Sequence, residues 1–145
     1  MADVRKIPAS RRHPHFGATS LEDSLRASGI AYQHFPDLGG HRRPRPDSPN
    51  TAWRNDSFRG YADYMMTPEF REALSRLEDL ASRQRTAFMC AEAVWWRCHR
   101  GLIADALKAE GHDVIHILAP GKSETHPYTP AARIVDGQLS YAGLL

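Results

Sequence analysis

Two cysteines, Cys90 and Cys98, are all that this chain of 145 residues offers. That is too few for a disulfide framework and fits thiols kept reduced in the cytoplasm. No apolar run approaches the roughly 20 residues needed to cross a bilayer, and the amino terminus lacks the apolar core of a secretion signal. A cytoplasmic location and no membrane partner are therefore expected. There is no internal repeat and no C-x-x-C pair. Zinc held by Cys90, Cys98 and His99, with His112 or His116, is disfavoured, because adjacent residues on a helix point about 100° apart. No metal and no cofactor are expected.

Charge of one sign is also scarce, with a formal net charge of +2. Its placement is uneven. Residues 1–60 carry ten Lys/Arg against six Asp/Glu, and the remainder carries nine against eleven. Arg5, Lys6, Arg11, Arg12, Arg42, Arg43 and Arg45 all fall in predicted loops or strand ends. A basic cluster on loops suits an anionic partner, a small molecule or a nucleic acid, although a plain solvated surface has the same composition. With 41% hydrophobic and 25% charged residues, the chain has a normal globular balance, and its length fits one domain over 1–145.

Along the chain, Ala2 to Ile7 alternates apolar and polar residues and stops at Pro8, which predicts a short strand. Thr19-Ser20-Leu21-Glu22 matches a capping box, opening a helix that ends near Gly29. Ile30 to Phe35 is the second predicted strand. Residues 36–57 carry Gly39, Gly40 and four prolines and read as a long irregular loop. Phe58 to Met66 predicts a short helix. Thr67 and Pro68 open a clearer one, with Phe70, Ala73, Leu74, Leu77 and Ala81 as its apolar stripe. Thr86 to Cys90 is a third strand. A helix with Leu102, Ile103, Ala106 and Leu107 on its buried side follows and ends at Gly111. Asp113 to Leu118 is a fourth strand, and Ile134 to Tyr141 predicts a terminal hairpin turning at Asp136-Gly137.

Strands alternating with helices predict an α/β fold: a mostly parallel sheet of about four strands flanked by helices, with a C-terminal hairpin. Ligands of open parallel sheets bind beyond the carboxyl ends of the strands. Those ends lead here into Ser10-Arg11, Leu38-Gly39-Gly40, Cys90-Ala91-Glu92 and Ala119-Pro120-Gly121-Lys122.

The segments Asp3-Val4-Arg5 with Pro8, Ser10-Arg11 and Phe16, then Leu38-Gly39-Gly40, Phe58-Arg59-Gly60-Tyr61, Cys90-Ala91-Glu92 and Cys98-His99-Arg100 resemble the uncharacterised DUF 488 family over nearly the whole chain. The resemblance implies an α/β fold and supplies no settled activity. Members of that family usually carry a strand and helix before the Asp-Val-Arg strand. Their apparent lack here would leave a sheet edge uncovered, which invites pairing into a homodimer.

Each candidate side chain has a structural and a chemical reading. Cys90, at a strand end, is a small hydrophobe or a thiol at the mouth of a site. Cys98 is activated only if a helix begins beside it, and residues 91–97 hold neither Gly nor Pro to mark that start. The cysteine-phosphatase loop needs an arginine six positions after its cysteine; Trp96 stands there and Arg97 comes one later, so the motif fails. Glu92 is a general acid or base, or a helix cap. Arg100 holds an anion in its guanidinium fork, or pairs with Asp3. His99 is packed or functional, and Trp53, Phe58, Tyr61, Trp95 and Trp96 are core or stacking platforms.

The leading expectation is a phosphate- or anion-recognising domain acting on a nucleotide or nucleic acid. Arg5, Ser10, Arg11 and Arg100 would hold the anion, Gly39 and Gly40 would allow close approach, and Asp3, Tyr61 and His99 would lie alongside. Cys90, Glu92 and Cys98 would stand nearest any chemistry, and whether there is any is left open. The alternatives are a cysteine-dependent sulfurtransferase or redox enzyme, and a non-catalytic interaction module built on the proline-rich loop.

Overall fold

A computed structural model describes residues 1–143. Among them are four α-helices, one three-stranded parallel sheet and two antiparallel hairpins. The chain packs as two compact units. The first takes Met1–Gly40 and Pro68–Ala91; the second takes residues 41–67 and the chain from Glu92 onward.

In the first unit, β1 (Ala2–Asp3) lies between β2 (Gln33–His34) and β3 (Phe88–Met89). Both pairings are parallel, with Asp3 opposite His34 on one side and Met89 on the other. Ladder bonds continue past the strand ends, from Val4 N–H to Met89 O and from Phe35 N–H to Asp3 O. Helix α1 (Ala18–Ala27) has no fully buried residue. Its cap is Gly17, with no side-chain cap bond, so the capping box expected at Thr19 does not form. A 3-10 turn over Pro14–Phe16 leads straight into the helix, and Pro8 O takes the Ala18 N–H. Helix α3 (Pro68–Arg83) buries Phe70, Ala73, Leu74 and Leu77, the predicted stripe. Ala81 is exposed. With Ala2, Val4, Phe35 and Leu38 these side chains form the core of this unit.

In the second unit, helix α2 (Asp56–Tyr64) is capped by Asn55, whose side chain accepts from the Ser57 and Phe58 N–H groups. Helix α4 (Arg100–Ala109) buries Leu102, Ile103, Ala106 and Leu107 as expected. Strand β4 (Ile115–Ala119) corrects the four-stranded parallel expectation. It pairs antiparallel with β5 (Lys122–Thr125), in a two-stranded hairpin separate from β1–β3. The turn Ala119-Pro120-Gly121-Lys122, with Gly121 at φ +73°, folds the strand back on itself. The predicted terminal hairpin is present as β6 (Arg133–Val135) and β7 (Gln138–Ser140). Its turn residues Asp136 and Gly137 have φ of +52° and +77°, the pattern of a type I′ turn.

Candidate functional site

The residues singled out from the sequence divide between the two units. In the first unit, Arg5 is spent on Asp3. Its Nε and Nη2 donate to the two carboxylate oxygens at 2.8 and 2.7 Å, and both side chains are buried. Tyr32 adds a hydroxyl bond to Asp3 at 2.6 Å. Desolvation works to raise the Asp3 carboxyl, but the bonds from Arg5 and Tyr32 outweigh it and hold it below the ordinary carboxylate range. Burial and the bond to Asp3 push the Tyr32 hydroxyl up to about 12. Asp3 is therefore partnered by Arg5 and not by Arg100, which corrects the pairing expected from sequence. A bidentate pair two residues apart on one strand end is the shorter-range solution.

Ser10 accepts the His13 N–H, and Arg11 is exposed. Gly39 is a place of close approach, but to the chain's own backbone: a Cβ there would lie 2.6 Å from Lys6 Cα. Gly40 is half-buried beside it, and Cys90 is half-buried and in no disulfide.

The second unit holds Tyr61, Glu92, Cys98, His99 and Arg100. A 3-10 turn over Trp95–Arg97 is followed by Cys98 in extended backbone, with α4 beginning at Arg100. The helix thus starts after Cys98, a point the sequence could not settle. Cys98 Sγ lies 3.4 Å from His99 Nδ1 and accepts the Arg100 N–H at 3.4 Å. The His99 ring packs on Tyr61 at 5.1 Å between centroids. Arg100 donates through Nη2 to the Glu92 carbonyl, while its Nε is buried without a partner. Trp95 is core, stacked on His116 at 4.3 Å and donating its indole N–H to Glu124. Trp96 points the other way in character, being 53% exposed.

Two polar clusters went unread in the sequence. Asp63 on α2 accepts from Ser48 Oγ, Asn50 Nδ2 and the Arg45 N–H. Desolvation works against it, but those three bonds hold its carboxyl below the ordinary range. They tie residues 45–50 of the supposedly irregular loop to a helix. The loop's basic run is held as well: a Cβ on Gly60 would meet Arg42 O at 2.1 Å, so that backbone lies directly on α2. The Arg42 guanidinium sits 3.6 Å over the Tyr64 ring.

The second cluster is larger. Asp105 on α4 is fully buried and accepts from His126 Nε2, the Thr129 N–H and hydroxyl, and the Tyr141 hydroxyl. His126 Nδ1 meets His116 Nε2 at 2.8 Å. Burial, then the neighbouring His126, pushes His116 down to about 4. One signal was available: an aspartate at the centre of Leu102-Ile103-Ala104-Asp105-Ala106-Leu107 interrupts an otherwise apolar helix face.

Among the described residues no helix is long and apolar enough to cross a membrane. A family model described as "Domain of unknown function DUF488" matches residues 1–107. No curated protein and no solved structure matches. The two hairpins, with His116, His126 and Tyr141, fall beyond the matched residues.

Proposed function

This chain belongs to the DUF488 family, and from that premise we propose that it recognises a phosphate-bearing ligand, a nucleotide or single-stranded nucleic acid, through Trp96, Arg97 and Arg100. The observation that carries this reading is the Arg100 guanidinium. Among the described residues it makes one hydrogen bond, to Glu92 O, and its buried Nε has none. A buried N–H without an acceptor is costly, and a phosphate oxygen in the guanidinium fork would remove that cost.

Trp96 supports the base-bearing half of the ligand. It is exposed four residues before Arg100, between buried Trp95 and exposed Arg97. Stacking on such a ring contributes about 1–3 kcal/mol per base. Of the other cations expected to bind, Arg5 is neutralised by Asp3, whereas Arg11 and Arg43 are exposed and available for longer-range attraction. Cys90 and Glu92 are the candidate reacting groups should the ligand be turned over. The proposed setting is the cytoplasm, where both cysteines stay reduced.

The test is a tryptophan-fluorescence titration with a nucleoside monophosphate and with pyrophosphate. Trp96→Ala should weaken the nucleotide and spare pyrophosphate, and Arg100→Ala should weaken both. Saturable binding of neither would end this reading.

A further inference from the structure

The anion-binding reading makes no use of Cys98, yet that residue is placed where a thiol changes character. Its backbone is extended, at φ −142° and ψ 152°, between the 3-10 turn and the first residue of α4. The side chain is thereby held at the mouth of the helix and not on its flank. Among the groups that meet the sulfur are His99 Nδ1 and the Arg100 N–H, each at 3.4 Å. Tyr61, on α2, is the third titratable neighbour in this unit. Burial, then the nearby Tyr64, pushes its hydroxyl well above the ordinary value, so it brings no negative charge against the sulfur. Its ring contact also holds His99 in place. An imidazole and an N–H donor both favour the anionic form of a thiol, and a nucleophile with a base in reach is the arrangement that thiol chemistry requires.

We propose that Cys98 and His99 form a nucleophilic thiol–imidazole pair that exchanges with small anionic disulfides. Small follows from the 5% exposure of Cys98; anionic follows from the cations of Arg97 and Arg100 on either side in the chain. The Cys98 proton passes to His99 Nδ1. The thiolate attacks one disulfide sulfur, a new S–S bond forms, and the old one breaks with its electron pair leaving on the departing thiolate. Cys98 is oxidised to a mixed disulfide with the attacked half, and the departing half of the substrate is reduced to the thiolate. The inference shares Arg97 and Arg100 with the proposed anion site, but thiol reactivity toward a neutral disulfide and affinity for nucleotide are read separately, and either can fail without the other.

The experiment uses the full chain carrying Cys90→Ser, so that Cys98 is its single thiol. Its reaction with an aromatic disulfide bearing carboxylates, and with neutral dithiodipyridine, is followed by the released thiolate across a range of pH. The expected midpoint of reactivity lies at least one pH unit below the ~8.5 of an ordinary cysteine. His99→Gln should raise that midpoint and slow the neutral-pH reaction about tenfold, and Arg97→Ala should narrow the advantage of the anionic reagent. A midpoint at or above that ordinary value, a midpoint indifferent to His99→Gln, or a thiol inert in the folded protein would each overturn the proposal. Should His99→Gln lose its fold by circular dichroism, the midpoint of the His99-bearing protein decides alone.

Discussion

Asp105 Oδ1 and His126 Nε2 meet at 2.7 Å, and neither side chain is exposed at all. The Thr129 and Tyr141 bonds fill the rest of the carboxylate. One side chain of α4 thereby fixes the segment after β5 and the end of the terminal hairpin. Asp105→Ala would strand four donors at once. It should cost at least about 1–3 kcal/mol, the range for one buried group left without its hydrogen-bond partner, with Asp105→Asn costing less. Urea unfolding of the two variants measures this. Equal stability of Asp105→Ala and the parent protein would mean the network is idle.

The pH dependence follows from His116. Its value falls from the ordinary 6.5 to about 4 on folding, so between these limits the unfolded chain binds the extra proton and stability rises with pH. Stability is expected to decline as pH drops from 6.5 through about 4. Asp3 and Asp63, both held low, lose their contributions only further down, as pH falls below the ordinary carboxylate range. Melting temperature against pH should therefore keep falling in two stages, and His116→Gln should flatten the upper one.

Asp63 holds the segment from Arg45 to Asn50 through three hydrogen bonds. Asp63→Ala should release that segment and cost about 1–3 kcal/mol for the buried donors left unpaired. Limited trypsin digestion, reading cleavage of the Arg42–Arg43 bond, is the measurement, since Arg43 and Arg45 are each followed by proline. An unchanged cleavage rate would mean that the prolines alone order the loop.

These clusters mark the boundary of what the sequence disclosed. The α3 stripe, the buried side of α4 and the Asp136-Gly137 turn were legible, because each rests on local periodicity or on a dihedral that few residues adopt. Strand β5 was not, because Lys122-Ser123-Glu124-Thr125 has no apolar alternation, and the turn before it was read as the end of a strand. In β4 the pattern is inverted: Ile115 and Ile117 are 58% and 75% exposed while His116 is buried. The long-range bond to His126 and the stack on Trp95 account for that. The candidate site was legible as residue types, but not in its division of labour. Nothing local in Asp3-Val4-Arg5 says that the arginine turns back on the aspartate.

Gly39 separates a packing role from a ligand role. A Cβ would fall 2.6 Å from Lys6 backbone, so Gly39→Ala should destabilise by about 1–3 kcal/mol through overpacking. The folded fraction should keep its full affinity for nucleotide. Thermal melts and binding on the same sample check both halves. A stable variant with weakened binding would restore Gly39 to the ligand site.

The most direct test is binding of a single-stranded oligonucleotide, at low and moderate salt, to the parent protein and to Arg100→Ala. The expected result is an affinity that falls with salt, and a variant that binds several-fold more weakly with a shallower salt slope, since one phosphate contact is gone. Equal affinity of the two folded proteins, or no binding by either, would contradict an anion site at Arg100.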